Sequence, residues 1–131
     1  MERETMNELS IEATQSTPSV HGDWQGGVLR MGGDSFPENS YEFFGSVIDW
    51  IERYLADGNR PLRLELRLMY MNTSSVKAMM DIFDMLEDAH RGGRAVAVRW
   101  LHDPRNERVA DLAAEFREDC TFPFDIEPDE A

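Results

Sequence analysis

The stretch from Leu62 to Leu86 constrains the fold more than any other part of the chain. Leu62-Arg63-Leu64-Glu65-Leu66-Arg67-Leu68 alternates apolar and charged residues without a break. Successive side chains of a strand point to opposite faces, so this is a strand with one face in a core and one in water. Tyr70-Met71-Asn72-Thr73-Ser74-Ser75 then turns polar, and Val76, Met79, Met80, Phe83 and Leu86 follow at the spacing of one helix face. A strand therefore runs through a hydroxyl-rich turn into a helix expected over about 74–90, which Arg91-Gly92-Gly93 stops.

The turn carries the most chemistry. A helix start leaves backbone N–H groups unpaired and holds a partial positive charge, so it favours anions, including a phosphate on a side chain. Thr73, Ser74 and Ser75 place three hydroxyls there, and Lys77 lies one turn further on. Any of Asn72, Thr73 or Ser74 also serves as an ordinary N-cap. The spacing is neither that of a nucleotide-binding P-loop nor that of a hydrolase elbow.

The other segments alternate. Leu9–Ala13 reads as a short strand, and Thr14–Pro18 as a turn. Ser19–Trp24 and Val28–Met31 read as a hairpin about Gly26-Gly27, after which Gly32-Gly33-Asp34-Ser35 releases the chain. A helix over 39–56 follows, stopped by Asp57-Gly58-Asn59, with Phe36, Tyr41 and Trp50 expected in or near the core. Residues 95–101 are almost continuously apolar, as in a central strand buried on both faces. Asp103 is the candidate cap of a helix with Pro104 in its first turn, and Thr121–Ile126 reads as an edge strand. Residues 1–8 read as a flexible leader, 9–127 as one domain and 128–131 as an acidic tail, frayed from about Glu127. Strands separated by helices call for parallel pairing through right-handed crossovers. The expected fold is a single α/β domain: a mixed sheet, β-rich at its N-terminal end, with helices packed on it.

The net charge of −13 argues against nonspecific binding to nucleic acid or to an anionic membrane surface, and no nucleic-acid partner or membrane insertion is expected. No apolar run reaches the roughly 20 residues of a membrane span. Met1-Glu2-Arg3-Glu4 does not read as a signal peptide, and the lone Cys120 suits a reducing cytoplasm. His21, His90 and His102 show no metal-ligand spacing with Cys120, and His102 beside Asp103 is a weak hint of acid/base chemistry. No metal or cofactor is expected, and no enzyme. Asp81, Asp84 and Asp88 share a helix face and form a candidate docking surface, while Met69 and Met71 leave the strand beside the turn and are candidate contacts. Met79 and Met80 are expected in the core.

Three runs, Asp34–Glu42, Met69–Met80 and Asp103–Glu107, together resemble the SiaC family of bacterial biofilm-regulation phosphoproteins, whose fold is similar to STAS-domain anti-sigma-factor antagonists. The likeness spans about Thr14 to Ile126. It implies reversible phosphorylation at Thr73 in the Asn72-Thr73-Ser74-Ser75 turn, by a dedicated serine/threonine kinase and a metal-dependent protein phosphatase. It further implies that the unphosphorylated form binds a GGDEF-type diguanylate cyclase and stimulates cyclic di-GMP synthesis. An anti-sigma-type antagonist using the same turn is the alternative.

Overall fold

The computed structural model describes residues 8–129. Six strands form one sheet in sequence order: β1 (Leu9–Ile11), β2 (Ser19–Asp23), β3 (Val28–Ser35), β4 (Leu62–Met71), β5 (Val96–His102) and β6 (Phe124–Pro128). The first three pair antiparallel; β3 to β6 pair parallel. The parallel strands are joined by α1 (Ser40–Ala56), α2 (Thr73–Arg91) and α3 (Glu107–Glu118). Each crossover steps one strand onward in the same direction. With a fixed right hand, all three helices land on one face of the sheet.

That face holds the core. Leu62, Leu64, Leu66 and Leu68 of β4 are buried with Leu29, Val98, Trp100 and the inner stripes of the helices in one cluster. Trp24, Trp50 and Tyr54 pack together beneath the β2–β3 hairpin. Phe83, Trp100, Phe116 and Phe124 fill the other end of the same core, toward β6. Gly27 is needed in the hairpin: its φ is +67°, and a Cβ there would stand 2.5 Å from the Pro61 carbonyl and 2.6 Å from the Tyr54 hydroxyl.

The other face is open and charged. Arg30 and Arg63 both reach Glu65, at 3.1 and 2.9 Å, Arg99 pairs with Glu127 and Arg67 with Asp129. Parallel strands usually have both faces covered; here cross-strand ion pairs take the place of a second helix layer.

Several expectations are corrected. The segment 95–101 is not buried on both faces: Arg99 stands on the open face, and only Val96, Val98 and Trp100 line the core side. Gly32–Ser35 does not release the chain but continues β3, with a register irregularity between Gly33 and Ser35 against β4. Glycine's low strand propensity is overridden because the β4 edge runs past it and supplies ladder partners. Asp103 does not cap α3. Asn106 does, accepting from the Val109 N–H, while the Asp103 carboxylate is taken by Arg105. Glu127 and Pro128 are not frayed, since β6 runs through them and the Asp129 N–H donates to the His102 carbonyl. Met80 is 49% exposed while Met79 is fully buried. The buried face is narrower than the apolar pattern, because α2 lies beside α1 on the sheet and buries Ser75, Met79, Ile82, Phe83, Leu86 and Glu87. Trp50 is in the core, but Tyr41 is 92% exposed and Phe36 is 41% exposed. Residues 1–7 of the expected leader, and 130–131 of the tail, lie outside the described residues.

Candidate functional site

In a parallel sheet a helix that follows a strand starts at that strand's C-terminal edge. The starts of α1 and α2 therefore sit side by side, because β3 and β4 are neighbours. This juxtaposition builds the site.

Asn72 is the N-cap of α2. Its Oδ1 accepts the Ser75 N–H at 3.0 Å and the Ser74 hydroxyl at 3.3 Å, and its own N–H donates to the Ser35 carbonyl at 2.9 Å. The three hydroxyls of the turn then have different fates. Ser75 is fully buried, its Oγ 2.8 Å from the Oγ of Ser35, which is also fully buried. The Ser74 Oγ lies 2.6 Å from the Oγ of Ser40, the first residue of α1. Thr73 is exposed and, among the described residues, makes no side-chain hydrogen bond. The first turns of α1 and α3 carry an acidic residue, Glu42 and Glu107; that of α2 carries none. The partial positive charge at the start of α2 is thus left without a local carboxylate. Lys77 is exposed one turn along.

Around the turn stand exposed apolar side chains. Tyr70 and Met69 lie at the end of β4, Phe36 just after β3 and Tyr41 in the first turn of α1. The Phe36 and Tyr70 rings meet edge to face at 5.8 Å. Met71 is partly buried against the core, so of the two expected methionine contacts Met69 is the one presented. Asp81, Asp84 and Asp88 are all exposed on α2 and form one acidic stripe leading away from the turn. No group of three or more potential metal ligands occurs among the described residues.

The remaining polar residues do structural work. His102, Asp103 and Arg105 line a groove of about 610 Å³ at the same end of the sheet. The Arg105 guanidinium holds the Asp103 carboxyl below its ordinary range, so Asp103 serves as its partner rather than that of His102. The Glu87 carboxylate accepts from the Thr121 hydroxyl at 2.6 Å and N–H at 2.7 Å, and from Arg91, which brings its pKa down to about 2. Burial, and then the nearby Glu87 charge, push the Cys120 thiol up to about 11; it is an inert thiol whose Sγ donates to the Phe116 carbonyl. Arg94 is buried and donates to the carbonyls of Leu55, Gly58 and Arg60 and to the Asn59 side chain, which locks the end of α1.

Sequence reasoning put Asn72, Thr73, Ser74 and Ser75 at the start of the helix and Lys77 one turn further on, which is where the structure has them. It missed Ser35 and Ser40, the hydroxyl partners, and the exposure of Phe36 and Tyr41. The signal that finds them is topological: two helices that follow adjacent parallel strands must start next to each other.

A two-layer α/β domain whose helix start combines a free hydroxyl, an open positive pole and an apolar rim is, as a class, a small recognition module. Residues 11–129 match the family of SiaC regulatory phosphoproteins. The chain belongs to that family. A protein of Pseudomonas aeruginosa strain UCBPP-PA14 is 69% identical over 122 residues, 93% of this chain and 97% of its own. The crystal structure of apo-SiaC from Pseudomonas aeruginosa is 68% identical, with a TM-score of 0.89, covering 92% of this chain and 98% of that one. A chain in the crystal structure of the diguanylate cyclase SiaD in complex with its activator SiaC, also from Pseudomonas aeruginosa, is 68% identical with a TM-score of 0.91, covering 92% of this chain and 99% of its own. No helix among the described residues is long and apolar enough to cross a membrane.

Proposed function

We propose that this protein is a non-enzymatic, cytoplasmic adaptor switched by phosphate on Thr73. In its unmodified form it docks on a GGDEF-type diguanylate cyclase and stimulates cyclic di-GMP synthesis. A serine/threonine kinase adds the phosphate and a metal-dependent protein phosphatase removes it. The observation that carries the reading is the position of Thr73: exposed, without a side-chain hydrogen bond among the described residues, at an uncompensated helix start and within a rim of exposed aromatics. The relative that activates the cyclase SiaD supports the choice of partner.

The physical outline is simple. A phosphate adds about −1.5 to −2 charge and three acceptor oxygens. The start of α2 accommodates it within the free protein. A partner packed on Tyr41, Tyr70 and Met69 meets a dianion where it would meet a threonine, and burying that charge unpaired is costly. A loss of about 3 kcal/mol, roughly a hundredfold in affinity, needs no change of fold. The test compares unmodified protein, Thr73→Ala and protein carrying phosphothreonine at 73 in a diguanylate cyclase assay. The first two raise cyclic di-GMP output and the third does not. Equal stimulation by the phosphorylated form refutes the switch, and capture of an anti-sigma factor in place of a cyclase favours the antagonist reading.

A further inference from the structure

We infer that Ser40, on the neighbouring helix, is the residue that confines phosphorylation to Thr73 among three consecutive hydroxyls; this rests on the proposed switch at Thr73. Ser75 needs no special exclusion, since it is fully buried against Ser35. Ser74 does, because it is exposed and adjacent to Thr73.

Phosphorylation of a hydroxyl requires its oxygen to lose a proton to a base on the kinase and attack the γ-phosphorus of ATP. The new O–P bond forms as the bond to ADP breaks, and ADP departs. The Ser74 hydroxyl is engaged both as donor and as acceptor. One arrangement satisfies every partner: the Ser40 hydroxyl donates to Ser74 Oγ at 2.6 Å, and the Ser74 proton goes to Asn72 Oδ1 at 3.3 Å. The departing proton and one of the two lone pairs are then engaged, which lowers the nucleophilicity of the oxygen and restricts attack to the remaining lone pair. The incoming phosphorus would also have to approach an oxygen that has the start of α1 at hydrogen-bond distance. Thr73 faces neither obstacle. Ser40 is itself held by its helix: it is 6% exposed and follows the Asn39 cap, whose Oδ1 accepts the Glu42 N–H. Selectivity within the turn is thus a property of the substrate's own tertiary packing.

The test is phosphosite mapping by intact mass and peptide analysis on full-length protein produced in its own host cells, with thermal melts to verify folding. The wild type carries a single phosphate on Thr73. Thr73→Ala carries only a trace of phosphate, on Ser74. In Thr73→Ala/Ser40→Ala, phosphate appears on Ser74 at about five times the Thr73→Ala level or more, the factor of one lost hydrogen bond. Thr73→Ala/Ser40→Thr, which keeps the hydroxyl, returns to the Thr73→Ala level. Two outcomes overturn the inference while leaving the switch intact: full modification of Ser74 in Thr73→Ala alone, or an unmodified Ser74 in a folded Thr73→Ala/Ser40→Ala protein whose wild-type parent is modified on Thr73. A wild type modified elsewhere refutes the switch and the inference together.

Discussion

A negative charge at position 73 should stabilise the free protein, and the size of the effect follows from the geometry of α2. Thr73 is the first helical residue after the Asn72 cap, and the first turn holds no acidic side chain. Half a positive charge at the helix start and a carboxylate about 5 Å away attract by about 0.4 kcal/mol in a water-like dielectric and about 0.8 kcal/mol at half that value. Thr73→Asp is therefore expected to be about 0.5 kcal/mol more stable than Thr73→Asn, which has the same size and no charge. Phosphothreonine, with up to twice the charge, should gain about 1 kcal/mol. The chain's net charge of −13 opposes this through long-range repulsion, but those charges are screened beyond about 10 Å at 0.1 M salt. The assay is urea unfolding at 20 mM and 1 M salt, where a slope of about 2 kcal/mol per molar turns 0.5 kcal/mol into a midpoint shift of about 0.25 M. The Asp-minus-Asn difference should shrink markedly at high salt. An Asp variant no more stable than Asn at low salt, or a difference indifferent to salt, refutes the claim that the α2 start is an open anion site.

Three further outcomes are expected. Arg94→Met leaves the carbonyls of Leu55, Gly58 and Arg60 without their donor; it should cost about 3 to 4 kcal/mol in chemical denaturation, with Arg94→Lys recovering part. Glu87 is held ionised well below its reference pKa of 4.5, so its contribution is complete above about 4.5 and lost as pH falls through about 2; thermal melts of Glu87→Gln should show a lower Tm at pH 7 and a flatter loss of Tm across that window than the wild type. Tyr41→Ala, at a side chain 92% exposed, should change stability by no more than about 0.5 kcal/mol, yet weaken diguanylate cyclase binding about tenfold in titration calorimetry if Tyr41 is an anchor of the interface.

Local chemistry made much of this protein legible in its sequence. The Leu62–Leu68 alternation specified a strand with one wet face, because side chains alternate along any strand. Helix starts near residues 39 and 72–74 were legible, because polar side chains there can satisfy backbone N–H groups that a helix leaves open; the structure makes Asn39 and Asn72 the caps. The same short-range logic put Asn72, Thr73, Ser74 and Ser75 on one turn and Lys77 one turn further on.

Position across the fold was decided elsewhere. The apolar run of β5 implied burial on two faces, but right-handed crossovers in one direction placed every helix on the same side, and Arg99 was left on the open face to meet Glu127. Asp103 looked like a cap until Arg105 claimed its carboxylate and Asn106 took the helix start. The three hydroxyls of the turn are chemically near-equivalent as sequence. Residues 34 and 40 positions away in the chain, with Asn72, make them different: Ser40 reaches Ser74, Ser35 buries Ser75, and Thr73 is left free. A sequence determines which groups can bond to near neighbours, because short separations are set by helix and strand geometry. Which distant groups share a site depends on how strands order themselves in the sheet, and here the adjacency of β3 and β4 chose the one open hydroxyl.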